Sequence, residues 1–211
     1  MTRTITFLLC AVAFSAALGF TGAIGVSSPS RADDDLQVLW EEPYDFSHLS
    51  GGFGSWGPHY TQDDFTLATD AELEAVECWA YYYPDEPDHH PQLFHVGLRY
   101  DHYGMPGEYY IASYCPHPKE TFTGDVYLDM FPVYHYRLNL VDDIGVEAGT
   151  PFWLEIYSVA ENFDWGIRNT GNLYYTWTQY DASAFFRLLG TPLDTDVQSA
   201  SWGEIKAGFS D

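Results

Sequence analysis

Trp79, Tyr81 and Tyr83 stand at alternate positions of one apolar run, a spacing that puts three flat rings on one side of an extended strand. Sugar rings present apolar C–H faces that pack on such side chains, while polar neighbours bond the hydroxyls. Trp153 with Tyr157, and Tyr175 with Trp177, repeat the pattern further along. These seven residues are the candidate carbohydrate-binding set. The chain carries 7 Trp, 17 Tyr and 14 Phe. Aromatics dominate cores as well as platforms, so a row of this kind also fits a strand buried on both sides.

Acids form the second chemical signal. Asp33-Asp-Asp35, Asp63-Asp64, Asp85-Glu86 with Asp88, Asp142-Asp143, and Asp194 with Asp196 cluster between strand-like runs. Calcium takes several oxygen ligands, which such loops supply, and Asp63, Asp64 and Asp101 are the candidate ligands. None of the clusters has the spacing of an EF-hand. His89-His90 lies beside acids but lacks the spacing of a transition-metal site. The sequence holds no G-x-S-x-G elbow, no glycine-rich phosphate loop and no recognisable cysteine nucleophile, so no catalytic residue is assigned. A glycosidase needs two carboxylates about 5–10 Å apart, and among 31 acids some pair meets that by chance.

These side chains sit in a chain of 211 residues with 8 basic and 31 acidic residues, a formal charge of −23. Polyanions are repelled by that balance, which argues against nucleic acid as a partner. Met1 to Arg3 is a short basic start, Ile5 to Phe20 is apolar, and Ser30-Arg31-Ala32 ends in small residues. That is the layout of a secretory signal peptide, so residues 1–32 are expected to be removed, leaving a secreted or cell-surface protein. Loss of Arg3 and Arg31 takes the charge from −23 to −25. No second apolar run is long enough to span a bilayer, so no membrane span is expected after cleavage. Cys78 and Cys115 then remain, expected as a disulfide in an oxidising compartment, with two separate buried thiols as the alternative.

Period-2 alternation recurs and helical periodicity hardly appears. In residues 76–83, Val76, Cys78, Ala80 and Tyr82 share one face, opposite Glu77, Trp79, Tyr81 and Tyr83. Residues 94–100 put His95 and Arg99 outward. Residues 133–140 set Tyr134, Tyr136, Leu138 and Leu140 against His135, Arg137 and Asn139. Phe152, Leu154 and Ile156 form one row, with Trp153, Glu155 and Tyr157 on its back; 173–180 and 184–189 are further strand candidates. Pro84 to Pro91 is too proline-rich for regular structure, and Gly104-Met-Pro-Gly107 reads as a hairpin-like turn. Many short strands and no helix-length segment predict an all-β, antiparallel β-sandwich or jelly roll over residues 33–192, followed by a short tail over 193–211.

Several framework segments occur in a familiar order: Asp63-Asp-Phe-Thr-Leu67, Val76-Glu-Cys-Trp-Ala-Tyr-Tyr82, Phe94-His-Val96, Gly104-Met-Pro-Gly107, Ala148-Gly-Thr-Pro-Phe-Trp-Leu-Glu-Ile156, Trp165-Gly and Ala184-Phe-Phe-Arg-Leu-Leu-Gly190. Together they resemble the β-sandwich (jelly-roll) modules of secreted and cell-surface bacterial proteins, often found beside sorting or anchoring segments, over about residues 55–190. The resemblance implies binding, adhesion or structural display, and often one structural calcium. The chain departs from it in carrying no C-terminal hydrophobic sorting helix. The expected function is a secreted, non-catalytic module that binds polysaccharide or cell-surface glycan through exposed aromatics. A structural subunit of an extracellular fibre, layer or matrix, with the protein itself as partner, is the alternative, and a secreted glycoside hydrolase is the third reading.

Overall fold

The computed structural model describes residues 36–55, 59–82, 93–159 and 163–193. Residues 1–32, read above as a signal peptide, Tyr83, the proline-rich segment 84–91 with His89-His90, and the residues beyond 193 lie outside the described residues.

The described chain is all-β, with two antiparallel sheets facing each other. Its strands are β1 (Gln37–Glu42), β2 (Gly51–Gly54), β3 (Thr61–Thr66), β4 (Ala71–Tyr81), β5 (Leu93–Asp101), β6 (Pro106–Pro116), β7 (Lys119–Tyr127), β8 (Phe131–Val146), β9 (Pro151–Ser158), β10 (Asp164–Arg168), β11 (Leu173–Tyr175), β12 (Thr178–Tyr180), β13 (Ser183–Ala184) and β14 (Phe186–Pro192). One sheet is centred on β4, which pairs with β14 on one side and β8 on the other. Beyond the end of β14, β10 takes over beside β4 and pairs in turn with β2 and β13. The second sheet runs in the order β12-β11-β3-β9-β5-β6. Among the described residues, no helix is long and apolar enough to cross a membrane.

Alternation decides which side chains meet between the sheets. Val76, Cys78, Ala80 and Tyr82 from β4 and its end join Tyr136 and Leu138 of β8. Against them the second sheet sends Phe94, Val96 and Leu98 of β5 and Phe152, Leu154 and Ile156 of β9. The face assignments expected for these four segments hold. Each large apolar side chain removed from water contributes about 1.5–3 kcal/mol, which makes this layer the main source of stability.

The cysteine pair differs from the expected disulfide. Cys78 and Cys115 are both free thiols, buried in this apolar layer. Burial pushes the Cys115 thiol up to about 12 and raises Cys78 as well, so both behave as small apolar residues here.

A second difference concerns residues 173–180, expected as one strand. They form a two-residue hairpin instead, with Tyr175 opposite Thr178 and Thr176-Trp177 at the tip. Both tip residues have positive φ, 41° and 73°. Such turns match the twist of the flanking strands but usually carry Asn-Gly or Asp-Gly. Thr-Trp carries no such signal, so alternation reads straight through the turn.

Candidate functional site

The outward rows of the two sheets have different surroundings. On the β4 sheet, Trp79 and Tyr81 are 7% and 8% exposed. Chain from the β1–β2 connection folds over them: Tyr44 stacks on Trp79 with ring centroids 5.4 Å apart and planes 2° from parallel, and Leu49 joins the same small cluster. Asp45 caps the short turn Phe46–His48 that follows, accepting a bond from the Ser47 amide. Arg187 lies over Trp79 on another side, 5.3 Å from the ring. Tyr81 is held against Tyr127 and Phe131. Glu77, in the same row, is pulled down: burial raises its carboxyl, but His135, Arg187 and Arg137 together outweigh that. Trp79 and Tyr81 are thus packed into the fold, where an open platform was expected from them.

The outward face of the six-stranded sheet holds a polar and aromatic cluster. Glu155 of β9 points away from the core yet is 0% exposed. Arg99 donates from Nε at 3.0 Å, and Gln62 and Tyr109 donate to the same carboxylate. The Arg99 guanidinium lies 3.6 Å from the centre of the Tyr109 ring and donates to the Gly107 carbonyl at 3.1 Å. Gly97, next in the outward row between His95 and Arg99, makes room for this: a Cβ there would meet the Tyr109 ring at 2.9 Å and His95 at 3.1 Å. The carboxylate has both oxygens occupied and no open surface, so its role is to hold Gln62, Arg99 and Tyr109 in place.

His95 lies beside this carboxylate, with Nδ1 4.0 Å from Glu155 Oε1, too far for a hydrogen bond, and without a partner. Its ring stacks on Tyr157 at 4.5 Å. Burial lowers the His95 pKa and Arg99 adds to that, while Glu155 opposes it. The neutral imidazole is therefore the favoured form near neutral pH.

At the hairpin end of this face, Tyr60, Gln62, Arg99, Tyr174 and Trp177 line a recess of about 70 Å³. Trp177 is 87% exposed and stands on the positive-φ turn. Thr176, beside it, also lines the recess, and its buried Oγ1 has no hydrogen-bond partner.

The predicted ligand-binding residues thus separate. Trp177 is open. Tyr157 is half-buried within the ring cluster, and Tyr175 is half-buried on the opposite side, packed on Phe53 at 4.8 Å. Trp153 is 0% exposed, meeting Tyr174 edge-on at 5.9 Å and donating to Asp101 at 2.9 Å. Trp79, Tyr81, Trp153 and Tyr175 therefore pack rather than display. Sequence reasoning missed Tyr60, Gln62, Arg99, Tyr109 and Tyr174. Gly97 was the available signal, because a strand-interior glycine often marks close approach of another group.

The metal candidates are also apart in role. Asp63 is buried between the sheets, where its carboxylate accepts the Ala184 amide at 2.6 Å and the Asp64 amide at 3.0 Å. Burial raises its pKa well above the usual range, and Asp64 and Glu42 add to the rise. Asp101 accepts Trp153 and the Gly104 amide. Among the described residues, no group of three or more His, Cys, Asp or Glu side chains is placed to hold a metal ion.

Comparison of the chain with known protein families, with curated proteins and with solved structures finds no match to any of them.

Proposed function

We propose that this protein is a secreted jelly-roll module that binds carbohydrate on the outward face of its six-stranded sheet. The observation that carries the reading is Trp177. Tryptophan is normally among the most buried side chains on average, yet this one is 87% exposed. It stands on a turn where both residues, one of them β-branched, hold positive φ at a cost of order 1–2 kcal/mol each. Leu128-Asp129 at the β7–β8 tip shares that backbone geometry, but the 176–177 tip also borders a recess containing Gln62 and Arg99. An open indole beside fixed polar groups is the combination that sugar stacking requires. Retardation of the protein in gels containing neutral polysaccharides tests the reading. Slowed migration that Trp177→Ala abolishes and Trp79→Phe leaves intact is the expected outcome; migration unaffected by every polysaccharide refutes it.

A second reading, assembly of copies into a fibre or layer, is favoured by β6. This strand lies at the end of the sheet order, paired with β5, and Tyr110, Ile111 and Tyr114 along it are exposed. Unblocked edges recruit neighbouring strands. Light scattering with and without Ca²⁺ separates the two, since assembly at −25 requires divalent bridging between like-charged copies.

A further inference from the structure

Rings in mutual contact cross the open face from one side of the sheet to the other. Tyr60, leading into β3, meets Tyr157 of β9 edge-on at 5.2 Å. Tyr157 stacks on His95 of β5 at 4.5 Å, and His95, itself only 6% exposed and so a support beneath its neighbours, meets Tyr114 of β6 edge-on at 5.4 Å. Tyr60 also lines the Trp177 recess, together with Gln62, Arg99, Pro106 and Tyr174. The band thus runs across the strands, from β11 through β3, β9 and β5 to β6, a span of about 19 Å at the usual strand spacing. A single sugar covers a fraction of that length.

Both ends of the band are open: Trp177 is 87% exposed at one, and Tyr114 is 54% exposed on the edge strand at the other. The charged pair beneath the band, Arg99 and Glu155, is mutually bonded at 3.0 Å and cancels. Around it the protein carries a formal charge of −23, which repels polyanions.

We infer that the ligand is a neutral, unbranched polysaccharide gripped along an internal stretch of its chain, with Trp177 and Tyr114 as the two ends of one continuous platform. The inference rests on the carbohydrate reading above and adds the length and charge of the ligand.

Calorimetric titration of the full chain tests it, using neutral oligosaccharides from disaccharide to octasaccharide, cut from the polysaccharide that retards the protein most, and a polyuronate of matched length. Affinity is expected to climb with length until the band is covered. Tyr114→Ala should then weaken the octasaccharide about tenfold and leave the disaccharide unchanged, while Trp177→Ala weakens both. Tyr114→Phe retains the ring and should retain the affinity, and an unchanged thermal midpoint confirms that the variants fold. Affinity that is already maximal at the disaccharide, or unaffected by Tyr114→Ala at every length, overturns the continuous platform while leaving Trp177 as a binding residue. Tighter binding of the polyuronate overturns the neutral ligand. Self-association that occupies the band in place of sugar, or no sugar binding at all, removes the reading beneath.

Discussion

The outward faces of the two sheets begin from a similar pattern, with aromatics among alternate residues (Trp79 and Tyr81 on β4, Trp153 and Tyr157 either side of Glu155 on β9), and end differently covered. On the β4 sheet, Trp79 and Tyr81 are sealed by Tyr44, Leu49, Tyr127 and Phe131. On the six-stranded sheet, Tyr157 stays half-buried, and Trp177, Tyr109 and Tyr114 stay exposed. Local alternation sets which face a ring takes. Whether that face is wet depends on chain that arrives from elsewhere, here the segment between β1 and β2. A buried row contributes stability and an open row is available to a ligand, so the faces should respond differently to substitution.

The largest expected effect lies on the covered face. Trp79→Ala removes a ring packed against Tyr44, His135 and Arg187. A loss of about 3–5 kcal/mol in denaturant unfolding is expected, with sugar affinity unchanged in the fraction that stays folded. A loss below about 1 kcal/mol would mean that the Tyr44 segment does not seal this face.

Glu155→Gln asks the converse question of the open face. It removes the charge that balances Arg99 in a site with no exposed surface on the carboxylate. Breaking such a pair costs about 3 kcal/mol, taken at the low end because the Arg99 side chain is 19% exposed. Binding should weaken in parallel as Gln62, Arg99 and Tyr109 lose their common anchor. Full affinity in this variant would separate the cluster from the site.

Gly97→Ala presses a methyl against Tyr109 and His95. The expected cost is about 1–3 kcal/mol, with affinity reduced because the displaced His95 ring belongs to the band and Tyr109 is bonded to the Glu155 anchor beside it.

The hairpin tip should go the other way. Replacing Thr176-Trp177 by Asn-Gly supplies residues suited to positive φ, so stability should rise by about 1 kcal/mol while binding is lost. Stability lost on this change would show that the tip is not strained.

The effect confined to a narrow range of conditions is a pH dependence. Burial raises the Asp164 carboxyl from 3.8 to about 6. The folded state therefore binds a proton more readily than the unfolded chain, and stability falls as pH rises from about 4 through 6. Asp164→Asn should flatten that slope and raise the thermal midpoint at pH 7, read by calorimetry across the range. This residue sits on β10 beside Tyr81, away from the open face, so affinity should not follow it.

The two-sheet architecture was legible because alternation in residues 76–82, 94–100, 133–140 and 152–157 is strong and each inward row is apolar. The site was legible in part. Trp177 was singled out, but as a strand residue, since Thr-Trp lacks the glycine or asparagine that marks a two-residue turn. Glu155 was placed outward by its position, yet an outward carboxylate on so acidic a chain reads as solvated surface; its burial comes from Gln62, Arg99 and Tyr109 on three other strands. The cover over Trp79 was not legible, because Tyr44 meets it through a non-local stacking that no spacing encodes.

Fluorescence quenching by acrylamide, with and without the retarding polysaccharide, addresses the open face most directly. Subtracting the Trp177→Phe protein isolates emission from the exposed indole. The account predicts that this fraction is readily quenched in the free protein and shielded once polysaccharide is added. Quenching of that fraction unaltered by saturating polysaccharide, or equal shielding in Trp177→Phe, would contradict it.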